Sequence, residues 1–156
     1  GILKKKEDEK IMKVAIGSDH GGFALKKEIT SLLEEMNIEY VDLGYNAEDS
    51  VDYPDYGLPV AEKVAQGEVD RGILICGTGI GMSISANKVK GVRCALVHDL
   101  FSAKATREHN DSNVLAMGAR VIGPGLAAEI TRVWLETEFE GGRHQRRIDK
   151  ISEFEG

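Results

Sequence analysis

Short runs of consecutive apolar residues alternate along the chain with longer segments in which apolar residues recur at every third or fourth position. The short runs predict strands buried on both faces, and the longer segments predict amphipathic helices. Their alternation predicts an α/β fold, with a five-stranded parallel sheet, helices on both faces and a further C-terminal helix. We expect strands at residues 13–17, 38–43, 72–76, 92–97 and 113–117, helices at 23–36, 54–66, 81–88, 100–109 and 126–138, and a short terminal helix opening at 143.

Length and composition are those of one compact domain. The 156 residues are 42% hydrophobic and 29% charged, and a chain of this size buries roughly 70% of its unfolded surface. Residues 1–11 carry mixed charges ahead of Met12, so we expect a flexible leader there. The domain is expected to cover residues 12–156.

Charge and cysteine content narrow the function. A formal net charge of −6 disfavours a nucleic-acid partner. No apolar run approaches the about 20 residues of a membrane span, and the start lacks the apolar core of a secretory signal, so a cytoplasmic protein with a small ligand is expected.

The two cysteines, Cys76 and Cys94, lack the spacing of a disulfide framework or a zinc site. Cys94 lies in a predicted strand and is interpreted as a small buried residue.

The strongest chemical signal is the loop that follows the third predicted strand. That strand ends in Cys76, and Gly77, Gly79 and Gly81 follow at alternate positions. Glycines let backbone N–H groups approach a ligand, and the next predicted helix begins at the same point. These surroundings favour a thiolate and suit a phosphate, a carboxylate or a developing oxyanion. A purely structural glycine turn is the alternative.

A dinucleotide site is a further alternative for this loop. The GxGxxG pattern needs its third glycine at position 82, where this chain has Met82, and the loop follows the third strand instead of the first. Asp99, about twenty residues onward, keeps a nicotinamide site open.

Asp19 and His20 follow the first predicted strand, at the edge where the carboxyl ends of parallel strands meet. The glycine pair at residues 21–22 allows a ligand to approach two titratable side chains. The alternative is that Asp19 caps a helix and His20 is a surface imidazole.

Two further groups carry proton-transfer and cationic side chains. His109 and Asn110 end the fourth predicted helix, where they can exchange protons and bind hydroxyls, or simply complement the helix C-terminus. Arg143 and Arg147 share a helix face, and Arg120 follows the fifth strand. Three guanidinium groups can hold a phosphate dianion, and a solvated charged face is the alternative.

From Met12 to about Ile151, the chain resembles ribose-5-phosphate isomerase type B, in the group that includes galactose-6-phosphate isomerase. The resemblance rests on ordered motifs at residues 17–22 (GSDHGG), 52–54 (DYP), 76–81 (CGTGIG), 85–88 (SANK), 109–113 (HNDSN) and 141–147 (GGRHQRR). It implies a three-layer Rossmann-like fold and an aldose–ketose isomerase that interconverts ribose 5-phosphate and ribulose 5-phosphate without metal or organic cofactor. It also implies a homodimer or a dimer of dimers, with each site shared between two subunits.

The resemblance also implies roles for individual residues. Cys76 is the proton-transferring base, with Thr78 as a hydroxyl partner, because Met82 occupies the position of the glutamate that another branch of the family uses. His109 matches the ring-opening acid. The remaining matches are residues that bind the enediolate, the sugar or the phosphate, namely Gly77, Gly79, Ile80, Gly81, Asp19, His20, Asn110, Arg120, Arg143 and Arg147.

Three other functions stay open at this point. A hexose 6-phosphate such as allose or galactose 6-phosphate would undergo the same chemistry in a roomier pocket. A noncatalytic phosphate-binding module would fit the fold and the glycine loop. A thiol hydrolase would use Cys76 as a nucleophile.

Overall fold

The computed structural model describes residues 11–46 and 49–156. Within these residues, five parallel strands form one sheet in the order β2-β1-β3-β5-β4. The strands are β1 (Lys13–Ser18), β2 (Glu39–Asp42), β3 (Arg71–Cys76), β4 (Cys94–Leu96) and β5 (Val114–Gly118). The helices are α1 (Phe23–Glu35), α2 (Pro54–Ala65), α3 (Ile80–Ala86), α4 (Leu100–Asn110), α5 (Pro124–Glu136) and α6 (Arg143–Glu155), and a 3-10 turn (His20–Gly22) precedes α1.

The sheet separates two hydrophobic clusters. Ile73 and Ile75 of β3 contribute to the cluster with α1, α4 and α5, in which Trp134 is fully buried. Leu74 and Cys76 point to the opposite face, toward α2 and α3. Because successive strand residues face opposite sides, this alternation puts the Cys76 side chain on the α2–α3 side of β3.

The predicted α/β fold, with five parallel strands and helices on both faces, is confirmed. Some predicted boundaries are wrong. Strand β4 has three residues instead of six, since the Val92 amide donates to the Val89 carbonyl in a turn. Helix α5 begins at Pro124, two residues early, because proline fits the first turn of a helix. Helix α6 runs for 13 residues and is not short. Residues 1–10 of the predicted leader lie outside the described residues.

The direction of each helix relative to the strands determines at which edge of the sheet its two ends lie. Each helix between two parallel strands runs antiparallel to them, so it begins at the carboxyl edge of the sheet and ends at the amino edge. Helix α4 therefore returns its C-terminus to the amino edge, over a distance of about 16 Å. None of the helices in residues 11–46 and 49–156 is long and apolar enough to cross a membrane.

Candidate active site

Three loops meet at the carboxyl edge of the sheet. A Cβ built on Gly21, after β1, would lie 3.2 Å from the Gly77 nitrogen. A Cβ built on Gly118, at the end of β5, would lie 2.5 Å from the Thr78 carbonyl carbon. The loop that follows Cys76 is therefore packed between the ends of β1 and β5, as the parallel arrangement predicted.

Cys76 is 5% exposed, and its thiol takes part in a defined hydrogen bond. The Gly79 amide donates to the Cys76 Sγ at 3.1 Å. Gly79 has φ 77°, a left-handed conformation that turns the chain back toward the sulfur. The hydrogen bond therefore fixes the position of the Cys76 sulfur beside the glycine loop.

Thr78 and Tyr53 line the same loop. The Thr78 Oγ1 accepts the Ile80 amide at 3.2 Å, which leaves the hydroxyl proton available for a ligand oxygen. Tyr53 precedes α2 and is 40% exposed, and a Cβ on Gly81 would lie 2.6 Å from its ring. Sequence reasoning gave Tyr53 no role of its own, and its position just before Pro54 at a helix start was the available signal.

Asp19 and His20 lie beside this loop and make different contacts. The buried Asp19 carboxylate accepts the Gly22 amide at 3.1 Å and caps the 3-10 turn, which is the capping alternative raised from the sequence. The His20 Nδ1 accepts the Val51 amide at 3.1 Å. We assign the neutral His20 proton to Nε2 from this hydrogen bond, so Nε2 is the atom that can donate to a ligand.

A buried lysine holds the end of β2 and the residues that follow it. Lys26 is 1% exposed, and its Nζ donates to the Asp42 Oδ1 at 2.6 Å and to the Asn46 Oδ1 at 2.7 Å. The same Asp42 oxygen accepts the Gly44 amide at 2.9 Å. A buried ammonium group with these partners fixes the segment after β2 against α1.

His98 and Asp99, after β4, have structural partners. The His98 Nε2 accepts the Gly118 amide at 2.8 Å. Burial lowers the pKa of His98, and the neighbouring Asp99 charge opposes that shift. The Asp99 carboxylate accepts the Ser102 amide at 2.7 Å and caps α4, and this hydrogen bond lowers its pKa. Asp99 is thus a helix cap instead of the ribose ligand that a nicotinamide site would require.

His109 and Asn110 lie at the opposite edge of the sheet. They end α4, and Asp111 follows as its C-cap with φ 46°. The Asp111 carbonyl accepts the Arg93 Nε at 3.0 Å, and its carboxylate accepts Arg107 at 2.8 Å. Because Arg93 directly precedes β4, these contacts fix the His109 end of α4 at the amino edge.

His144 and Glu140 join His109 at this edge. The His109 and His144 rings stack with centroids 4.4 Å apart, and the Glu140 Oε1 lies near both imidazoles. Burial lowers the pKa of His144, with further contributions from His109 and Arg143. His109, Asn110, His144 and Arg147 line a groove of about 880 Å³ between β4, α4 and α6. Sequence reasoning assigned no role to His144 or Glu140.

The three predicted phosphate-binding arginines are divided between the two edges. The Arg120 amide donates to the Gly77 carbonyl at 2.9 Å, so Arg120 belongs with Cys76. Arg143 and Arg147 lie in the first turns of α6, beside His144 and the groove. One chain therefore presents two separate groups: Cys76 with Arg120 at the carboxyl edge, and His109 with Arg147 at the amino edge.

A parallel sheet with helices on both faces, and with an oriented thiol and a glycine loop at its carboxyl edge, defines a Rossmann-like α/β protein. The chain belongs to the Ribose/Galactose Isomerase family, whose model matches residues 14–151. The matched segment contains every site residue predicted from the sequence.

Individual relatives agree with this assignment. Ribose-5-phosphate isomerase B of Escherichia coli (strain K12) is 50% identical over 143 residues, which cover 92% of this chain and 96% of that protein. D-erythrulose-4-phosphate isomerase of Pectobacterium atrosepticum is 44% identical over 93% of this chain and 96% of its own length. The solved structure of Clostridium thermocellum ribose-5-phosphate isomerase B is 55% identical, with a TM-score of 0.91, and the match covers 92% of this chain and 97% of that one. The predicted resemblance and the isomerase class are thereby confirmed.

Proposed function

We propose that this protein interconverts D-ribose 5-phosphate and D-ribulose 5-phosphate through an enediolate, with Cys76 as the proton-transferring base. The observation that carries the proposal is the hydrogen bond from the Gly79 amide to the Cys76 Sγ at 3.1 Å. It orients the Cys76 sulfur in a family whose relatives include pentose-phosphate isomerases.

The reaction needs a base that removes the proton from C2 and returns it at C1, and donors that stabilise the negative oxygen in between. Cys76 supplies the base. The Thr78 hydroxyl and the amides of the loop over Gly77, Gly79, Ile80 and Gly81 supply donors. On this proposal, Asp19 and His20 contact the sugar from the neighbouring loop.

His109 serves ring opening by giving and taking a proton at the ring oxygen and the anomeric hydroxyl, and Asn110 binds sugar hydroxyls. Arg120, Arg143 and Arg147 bind the phosphate through charge-assisted hydrogen bonds. These roles require residues from the carboxyl edge and from the amino edge of the sheet to contact the same substrate molecule.

A second copy of the chain brings the amino edge of its sheet to the carboxyl edge of the first. Strand β4 is the outermost strand on one side of the sheet, and the unpaired side of an outer strand is a natural surface for pairing with another chain. Large apolar side chains are exposed on and around it, namely Ile80, Ile84, Leu96, Leu100 and Phe101. We propose a twofold homodimer through this surface, in which Cys76 of one subunit faces His109 of the partner subunit. A dimer of dimers would retain the same pairing.

The proposal is tested with the purified protein, its Cys76→Ala variant and a Cys94→Ser control. We expect Cys76→Ala to lose turnover of ribose 5-phosphate by at least about 10²-fold while it still binds the sugar phosphate. Burial raises the pKa of Cys94 to about 12, so this neutral thiol supplies no base and Cys94→Ser should keep full activity. Substantial turnover by Cys76→Ala would remove the base role, and inactive wild-type protein would contradict the pentose assignment.

Sugar length is tested by the same assay. One relative is named D-erythrulose-4-phosphate isomerase. A tetrose phosphate is therefore a second candidate substrate, in addition to the hexose 6-phosphates. We expect kcat/KM to be highest for ribose 5-phosphate when four-, five- and six-carbon sugar phosphates are compared. A higher value for another length would reassign the substrate and leave the isomerase chemistry in place.

A further inference from the structure

Two imidazoles and one carboxylate converge at the amino edge of the sheet. The Glu140 Oε1 lies 3.4 Å from the His144 Nε2 and 3.8 Å from the His109 Nε2. All three ligand atoms lie within 4.8 Å of one another. Two histidines and a glutamate are a donor set that zinc accepts in proteins, with a water as the fourth ligand.

The His144 Nε2 gives a second observation, because its 3.4 Å contact with the Glu140 Oε1 is not a hydrogen bond. The His144 side chain is 8% exposed, and its Nε2 makes no hydrogen bond within the described residues. A buried nitrogen without such a partner is uncommon in folded proteins and calls for a ligand, a water or an ion. A cation between His144, Glu140 and His109 would satisfy it.

Two of the three separations are close to what a tetrahedral ion requires. With bonds of 2.0–2.1 Å, two ligand atoms of a zinc ion lie about 3.4 Å apart. The 3.4 Å separation already matches, and the 3.8 Å separation needs a shift of a few tenths of an ångström. The two imidazole nitrogens lie within 4.8 Å of each other, so this third separation must shorten by up to about 1.4 Å. The rings are nearly parallel, at 18°, so one must tilt before both nitrogens face a common ion. The His109 side chain is 46% exposed, which leaves it room to tilt.

The backbone holds Glu140 in place for this role. The Glu140 amide donates to the Glu108 carbonyl at 3.1 Å, which ties this residue to the end of α4 beside His109. Gly141 and Gly142 then turn the chain through positive φ values of 70° and 57°, and α6 begins with His144 in its first turn. His109 of α4, His144 of α6 and Glu140 of the segment between α5 and α6 are thereby brought together.

We propose that His109, Glu140 and His144 form a binding site for a divalent transition metal such as Zn²⁺, and that the bound ion inhibits the isomerase by occupying His109. Metal binding itself does not depend on the proposed isomerase activity. Arg143 and Arg147 lie in the adjoining turns of α6 and oppose a cation, so the ion should bind reversibly and be removed by a chelator.

The test is titration of metal-free protein with Zn²⁺ by calorimetry, and with Co²⁺ by visible absorption, on the wild type, His144→Asn and Glu140→Gln. Cys94→Ser is the control for binding by the thiol that lines the same groove, and the cobalt spectrum reports on binding by either thiol. We expect one ion per chain in the wild type and in Cys94→Ser, with a dissociation constant below about 100 μM, and at least about tenfold weaker binding in both other variants. The cobalt spectrum should show tetrahedral bands without thiolate charge transfer.

Glu140→Gln is the decisive variant, because its side chain is half exposed and the substitution does not disturb the core. Equal affinity in Glu140→Gln and the wild type, no binding by the wild type, or a cobalt–thiolate charge-transfer band would each overturn the proposal. Activity is a second readout: Zn²⁺ should inhibit the wild type, and excess chelator should restore it. If the wild type has no isomerase activity, the calorimetric titration still tests the metal site, because it measures binding alone.

Discussion

Cys76 and His109 lie at opposite edges of the same sheet in one chain. Cys76 ends β3 at the carboxyl edge, and His109 ends α4, whose Asp111 cap is hydrogen-bonded to Arg93 ahead of β4. A strand of five or six residues is about 16–20 Å long, so the two side chains are separated by roughly the depth of the sheet. The proposed mechanism uses both of them, and for this reason it includes a second subunit.

The contact between Gly118 and Thr78 makes glycine necessary at position 118. We expect Gly118→Ala to reduce kcat/KM by about 10²-fold, because its Cβ would lie 2.5 Å from the Thr78 carbonyl carbon and displace the catalytic loop. Gly125→Ala is the matched control, since a Cβ there meets no described atom within 4 Å. The control should keep full activity and gain about 0.5–1 kcal/mol of stability. Wild-type kinetics in Gly118→Ala would refute the packing argument.

His98 is expected to make stability depend on pH. Its folded pKa lies below the ordinary value of 6.5, so the unfolded chain binds the proton first as pH falls. The free energy of unfolding should therefore be fully maintained above about pH 6.5 and decrease as pH falls from there toward the lowered folded pKa. His98→Gln should flatten this dependence, because a glutamine oxygen can accept the Gly118 amide without titrating.

Denaturant unfolding of wild type and His98→Gln over this pH range measures the difference. His144 also has a lowered pKa and contributes a slope of the same sign in both proteins, so the comparison isolates His98. Identical slopes in the two proteins would show that His98 is not the titrating group.

Arg147 is expected to bind the substrate phosphate. Arg147→Gln should raise KM for the sugar phosphate by about 10- to 100-fold, the equivalent of one charge-assisted hydrogen bond, with a smaller effect on kcat. Arg146→Gln is the control on the same helix, because Arg146 is exposed and lies outside the groove that Arg147 lines. Equal increases of KM in both variants would indicate a general charge effect instead of a binding contact.

The strands and most helices were predictable because the hydrophobic patterns that specify them lie within short stretches of the sequence. Runs such as residues 72–76 are apolar at successive positions, and parallel pairing then brings the loops after β1, β3 and β5 to one edge. The Cys76 loop and its neighbours Asp19 and His20 followed from that geometry. Met82 broke the GxGxxG spacing, and the dinucleotide alternative was removed only by the structure, in which Asp99 caps α4.

Other features depend on contacts that are distant in sequence. Lys26 is buried only because Asp42, at the end of β2, and Asn46, in the segment after it, reach its Nζ from 16 and 20 residues away. The stacking of His109 on His144 depends on the turn at Gly141 and Gly142, which no periodicity reveals. The separation of Arg120 from the other two arginines likewise appears only when the direction of each element is known.

The central claim is that each active site combines Cys76 of one subunit with His109 of the partner subunit. Subunit complementation tests it most directly: differently tagged Cys76→Ala and His109→Asn chains are produced together, and the heterodimer is isolated by both tags. Each parent homodimer should have at least about 10²-fold lower turnover, since every site in it lacks one group.

In the heterodimer, a shared arrangement places both substitutions in one site and leaves the other site intact. The account predicts that the isolated heterodimer recovers about half of the wild-type kcat per dimer. If Cys76 and His109 of the same chain served one site, both sites of the heterodimer would be damaged. A heterodimer no more active than its parents would therefore contradict the account.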